Sequence, residues 1–151
     1  MKKVYKLPLE TIKEVYNNKN NYIFIKSHKV MTKDDRYLNF IEHGFACKNC
    51  GLKAEYVQLE YNCQYKWHLN VYGTNKIGQA IRLTKDHIYP KSKGGLDVIN
   101  NYQVLCETCN GKKKDKAPVN LRIALEKGYT NKTAIVYAIK TGRKNVLVGV
   151  N

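Results

Sequence analysis

The chain has 151 residues, 43% of them hydrophobic, and carries 27 Lys and Arg against 12 Asp and Glu, a formal net charge of +15. That length fits one domain, or a small domain with an appendage. The sequence has no run of 18 apolar residues, which excludes a transmembrane helix, and its basic opening lacks the apolar stretch of a signal peptide, so a cytoplasmic location is expected.

In chain order, LPLETIKEVYNN predicts a short helix after Pro8, and NYIFIKSHKV reads as a strand from its aromatic and β-branched residues. TKDDRYLNFIEHG predicts a helix capped by Thr32 and stopped at Gly44, with Tyr37, Phe40 and Ile41 on one face. Three strand-like runs follow, AEYVQLEYN, YKWHLNVYG and AIRLTKDHI, separated by turn-formers. A helix is expected to begin at CETCNGKK and to end before Pro118. The tail reads as helix, turn at Gly128, helix, stop at Gly142 and a short strand. The segments expected from this pattern are an N-terminal helix/strand extension over 1–46, a core over 47–117 and a C-terminal helical segment over 118–151.

The positive charge is spread over all three, +4 on residues 1–46, +6 on 47–116 and +5 on 117–151. Such a field attracts polyanions and favours nucleic acid as the partner. Heavy use of Lys, Asn, Tyr and Ile also fits an AT-rich genome, so charge alone leaves a merely basic soluble protein open.

Four of the five cysteines form two Cys-x-x-Cys pairs, Cys47 with Cys50 and Cys106 with Cys109. In a reducing compartment such pairs read as metal binding before disulfides. Together they supply a closed tetrahedral sulphur shell for Zn²⁺, whose role would be structural. The fifty-five residues between Cys50 and Cys106 exceed what a compact zinc ribbon needs, and two unrelated pairs or a redox site remain alternatives. Cys63 is expected to be a buried or half-buried thiol, and His28, His43 and His68 to be structural or surface residues.

The stretch TKDHIYPKSKGG sets Asp86 beside His87 near a strand end. Phosphodiester hydrolysis needs a base for water, a divalent cation against the phosphate charge, and a group that fixes the base's tautomer. Neighbours on a strand point to opposite sides, so Asp86 could face a metal while His87 faces water. The side-chain carbonyl of Asn110 is a second hard oxygen donor suited to Mg²⁺.

DHIYPKSKGG, Asn101 ahead of YQVLC, and CETCNGKK together resemble the HNH endonuclease motif, a ββα-metal nuclease site braced by two zinc knuckles. The resemblance spans about Cys47 to Lys113 and extends to phage and homing enzymes. It implies an α+β fold with a ββα-metal (His-Me finger) core and a structural zinc, flanked by an N-terminal helix/strand region and a C-terminal helical hairpin. It also implies a bacterial or phage-infected cell as setting and double-stranded DNA as substrate. Carried over by position, His87 is the general base and Asn101 orients its imidazole. Asp86 and Asn110 ligate the catalytic Mg²⁺ or Mn²⁺, and Cys47, Cys50, Cys106 and Cys109 hold the zinc. Where many relatives carry histidine this chain has Asn110, a donor better suited to Mg²⁺ or Mn²⁺ than to a catalytic zinc.

Lys91 and Lys93, with Lys112, Lys113 and Lys114, flank this stretch and are expected to meet DNA phosphates. The tail, in AIVYAIKTGRK, has the look of the small DNA-binding modules appended to homing nucleases; a helical hairpin that closes the core is the alternative. A zinc-stabilised nucleic-acid-binding module without catalysis is the competing functional class.

Overall fold

The computed structural model describes residues 4–61, 64 and 66–116. Cys63 and the C-terminal segment 118–151 therefore lie outside the described residues, as do the helices expected there. The described chain runs β1 (Tyr5–Leu7), α1 (Glu10–Tyr16), β2 (Tyr22–Ile25), β3 (His28–Met31), α2 (Asp35–His43), β4 (Ala54–Tyr61), β5 (Trp67–Thr74), β6 (Ala80–His87), β7 (Tyr102–Cys106) and α3 (Glu107–Lys113). The class is mixed α+β. The strand–strand–helix succession expected of a ββα core is present as β6, β7 and α3.

Chain contacts divide the molecule into two units. The first takes in residues up to Lys85 together with Val104–Gly111; the second takes in Asp86–Gln103 and continues from Lys112. The first unit is built on the β4–β5 pair, which is antiparallel from Ala54↔Gly73 to Tyr61↔Trp67. Strand β1 adds antiparallel to β4, from Tyr5↔Leu59 to Leu7↔Val57. The other edge of β5 is shared: Trp67 meets Val30 of β3 in parallel, while Val71 to Thr74 meet Leu83 to Ala80 of β6. Residues 1–46 thus share their sheet with β4 and β5.

Alternation along the strands sends Val57, Leu59, Leu69, Val71 and Leu83 inward, each at most 3% exposed. Ile12 and Val15, one turn apart on α1, and Tyr37 and Phe40, one turn apart on α2, cover that apolar face. Val104 and Leu105 of β7 complete the cluster. The Tyr37 hydroxyl accepts a hydrogen bond from the Leu69 N–H at 3.1 Å, satisfying a donor inside the core.

Two local expectations need correction. NYIFIKSHKV is not one strand but the hairpin β2–β3, turned at Lys26 and Ser27, whose φ values are 49° and 66°. A two-residue turn of this kind needs left-handed residues, and the sequence lacks the Asn-Gly or Asp-Gly signal that usually marks one. The cap of α2 is Asp34 rather than Thr32: the Asp34 carboxylate accepts from the Arg36 N–H at 2.8 Å, while the Thr32 hydroxyl donates to the Asn20 carbonyl at 2.6 Å. The stop at Gly44, with φ 93°, is as expected.

Replacing Tyr37 with Phe removes the acceptor for the Leu69 N–H without opening a cavity. Urea denaturation should show a loss of about 1–3 kcal/mol, the cost of an unsatisfied buried donor, with an unchanged m-value.

Candidate active site and cysteine cluster

In the first unit the four cysteines converge. Their sulphurs lie within 4.8 Å of one another, with Cys50 Sγ and Cys106 Sγ 3.8 Å apart. The Cys47 knuckle turns tightly, with Gly51 N–H bonded to the Cys47 carbonyl at 2.9 Å and Gly51 at φ 78°. It is tied to β7 by Lys48 N–H donating to the Val104 carbonyl at 2.8 Å. That bond lets two pairs so far apart in sequence share one site.

The donor set fits zinc. Zn–S bonds of about 2.3 Å in a tetrahedron put sulphurs roughly 3.8 Å apart, the spacing found between Cys50 and Cys106. Electrostatics agree. Burial pushes the Cys47 thiol up, but backbone N–H groups of Cys50, Cys106 and Asn49 outweigh it and bring the pKa down to about 7. At Cys106 burial, reinforced by the Cys109 and Cys50 thiols and the charge on Cys47, pushes the pKa up to about 12. One thiolate is accommodated and the next is opposed, so four together call for a cation.

Above the cluster in the same unit, the Thr84 hydroxyl links three elements. It donates to the Leu105 carbonyl at 2.8 Å and accepts from Asn110 Nδ2 at 2.9 Å. Asn110 therefore uses its amide nitrogen on β6, and the ligand atom that the resemblance asks of it is Oδ1.

The second unit begins at Asp86, the penultimate residue of β6. Asp86 is 7% exposed. Its Oδ2 accepts from Gln103 Nε2 at 2.9 Å and lies 3.2 Å from Lys113 Nζ, which also donates to the His87 carbonyl at 2.9 Å. A buried carboxylate already facing a protein cation is a hard oxygen donor of the kind a divalent ion takes. Lys113, expected among the phosphate-contacting lysines, is thus turned inward, while Lys91, Lys93, Lys112 and Lys114 are exposed.

His87 follows, its side chain 17% exposed and its ring edge-on to the buried Tyr102 at 5.1 Å. Its Nε2 lies 2.7 Å from Asp97 Oδ1, and Asp97 Oδ2 lies 3.0 Å from Lys91 Nζ. The hydrogen bond from His87, then that from Lys91, hold the Asp97 carboxyl below its ordinary value of 3.8. Asp97 is therefore a carboxylate above that value, and the pairing weakens only as the pH falls through its lowered pKa. A carboxylate only accepts, so Nε2 carries a hydrogen, and in the neutral ring Nδ1 is the nitrogen with the lone pair.

Asn101 does not touch the imidazole. Its Oδ1 accepts from the Tyr89 N–H at 2.9 Å, and its Nδ2 donates to the carbonyls of Tyr89 at 3.1 Å and Leu96 at 2.9 Å. The expected orienting contact is made by Asp97 instead, because the Asn101 amide is fully spent on the loop backbone. That loop closes so tightly that a Cβ on Gly95 would stand 2.0 Å from the Tyr89 carbonyl oxygen, and Gly94 turns at φ 92°. The paired glycines of KSKGG are thus both required.

Asp97, Gln103 and Tyr102 are the site residues that sequence reasoning missed. The one available signal was a lone acid, Asp97, placed just behind the glycines of a lysine-rich loop.

Among known families, the model described as HNH endonuclease matches residues 75–125. The matched stretch contains Asp86, His87, Asn101, Cys106, Cys109 and Asn110, and the first cysteine pair precedes it. No curated protein and no solved structure matches the chain.

Metal analysis of the purified protein should find about one zinc per chain. Cys109→Ser should lose it and lower Tm, and stripping zinc from the unaltered protein should reproduce the same Tm. A full zinc complement in Cys109→Ser would refute the four-sulphur assignment.

Proposed function

We propose that this protein is a metal-dependent DNA endonuclease in which His87 is the general base. The observation that carries the reading is the His87–Asp97 contact: it fixes one ring nitrogen as donor and leaves Nδ1 as a proton acceptor, in a side chain that solvent reaches. Support comes from the HNH endonuclease match over the same residues.

In this reading a water held at Nδ1 loses its proton to His87 as its oxygen forms the new bond to phosphorus, and the bond to the departing sugar oxygen breaks. Asp97 holds the ring in one tautomer and balances the imidazolium as it forms, with Lys91 holding Asp97 in turn. Asp86 is the carboxylate ligand of a Mg²⁺ or Mn²⁺ ion, and Asn110 is assigned as a further ligand on the sequence pattern. When bound, that ion supplies positive charge against the phosphate and the leaving oxygen. Lys113 pairs with the Asp86 carboxylate and, by donating to the His87 carbonyl, fixes the main chain that carries the base. Asn101 acts one step further out, holding the loop whose two ends bear His87 and Asp97. Lys93, Lys112 and Lys114, all exposed, would meet the phosphates of double-stranded DNA.

Supercoiled plasmid incubated with the protein and Mg²⁺ or Mn²⁺ should be nicked or linearised. His87→Ala should lower the rate by about 10²-fold or more while zinc content and DNA binding persist. Asp97→Asn, which can donate where the carboxylate accepts, should lower kcat by roughly tenfold or more with KM little changed. Cutting by His87→Ala at the unaltered rate would remove the base assignment. Intact plasmid with every divalent metal would favour a zinc-stabilised binding module.

A further inference from the structure

The outward face of the β2–β3 hairpin is apolar at the edge of a sheet. Cross-strand pairing sets Tyr22 opposite Met31 and Phe24 opposite Lys29, so these four side chains share one face while Ile23, Ile25 and Val30 pack toward the core. Tyr22 is 44%, Phe24 66% and Met31 54% exposed. Phe24 meets the Tyr22 ring edge-on at 5.9 Å, and Lys29 Nζ stands 4.3 Å over that ring. Clustered exposed aromatics on an edge strand are an aggregation liability unless something binds there.

The same face forms one wall of a basic groove. Lys29 and Met31 line a cavity of about 570 Å³ with Arg36, Lys66, Trp67 and His68. The Trp67 ring in it is backed by His28, stacked at 3.7 Å. A second cavity of about 460 Å³ shares Asp34 and Arg36 with the first and continues past Arg82 to Lys85. Asp34 is the acid that both cavities share. It is paired with Arg36, which also donates to Asn70 Oδ1 at 3.1 Å, and Arg82 lies 4.0 Å from Glu107. Five cationic side chains, Lys29, Arg36, Lys66, Arg82 and Lys85, line the two cavities against the one acid, Asp34, and the groove is positive. Lys85 is followed in the chain directly by Asp86.

We propose that this groove and hairpin face bind a single-stranded segment of nucleic acid, its phosphates along the lysines and an unpaired base on Phe24. Exposed rings beside a positive groove suit unpaired bases, whose faces are open, whereas a duplex hides its base faces and would use only the lysines. A second copy of this chain is disfavoured as occupant. It would bring the same hairpin lysines and another net charge of +15 against the first. The proposal rests on the nuclease reading for its choice of polyanion.

The test is fluorescence anisotropy on the full-length chain in a His87→Ala background, without added divalent metal, using labelled oligothymidine and a duplex of equal length. Phe24→Ala should weaken oligothymidine binding by about fivefold to a hundredfold, Phe24→Trp should restore it, and duplex affinity should hardly change. Lys66→Glu should weaken both and flatten the salt dependence. At 66% exposure Phe24 is not part of the core, so its replacement should leave Tm unchanged. Unchanged oligothymidine affinity in Phe24→Ala, equal losses on both probes, or a dimer that Phe24→Ala dissolves would each overturn the proposal. Plasmid cutting by the unaltered protein is scored separately. Failure there with Phe24-dependent binding intact would sink the nuclease reading and keep the groove, and the reverse result would do the opposite.

Discussion

Fully buried, the side-chain amide of Asn101 meets three backbone groups of one loop: the N–H and C=O of Tyr89 and the C=O of Leu96. Its own main chain joins in, with its carbonyl accepting from Ile88 and its N–H donating to Val98. Burying an amide costs several kcal/mol unless its hydrogen bonds are met, so the amide and the loop specify one another. Tyr89 lies two residues past His87, and Leu96 immediately precedes Asp97. By closing these two ends together Asn101 delivers the Asp97 carboxylate to His87 without touching the imidazole. Gly95 is the steric condition for that closure.

Asp86 and Asp97 are matched with Lys113 and Lys91, and the matches differ in consequence. Asp97 is half exposed, so its contact with Lys91 is screened and contributes orientation more than stability. Asp86 is buried with the Lys113 ammonium 3.2 Å away, a buried pair in which the loss of either partner is costly. In the proposed metal site a divalent ion would share the Asp86 carboxylate with Lys113 and Gln103, and its affinity would depend partly on how far Lys113 yields.

Much of this arrangement was legible in the residues. The strands β4, β5 and β6 were legible as strand-like runs between turn-formers, α1 from its place after Pro8, α2 from its apolar face and glycine stop, and α3 from the second cysteine pair. The cysteine pairs were legible as a set, since sulphur at that spacing has few other uses in a reducing cell. The hairpin turn at Lys26–Ser27 was hidden because left-handed backbone was adopted by residues that rarely choose it. Asp97 was hidden for a different reason: its partner lies ten residues away across a loop whose path depends on a buried amide and a close glycine contact. Neither has a periodicity. Asn101 was found by pattern but given the wrong contact, since spacing tells that a polar group is needed and not which atoms it meets.

One short strand connects the two kinds of brace. Asn101 stands immediately before β7 and Cys106 ends it, five residues later. Within β7, alternation sets Tyr102, Val104 and Cys106 on one face and Gln103 and Leu105 on the other. Tyr102 lies against the His87 ring, Gln103 donates to Asp86, and the Val104 carbonyl receives the first knuckle. A shift of register by one residue would turn Gln103 away from the carboxylate and Cys106 out of the cluster together. The five-residue spacing between Asn101 and Cys106 is therefore a register constraint on β7.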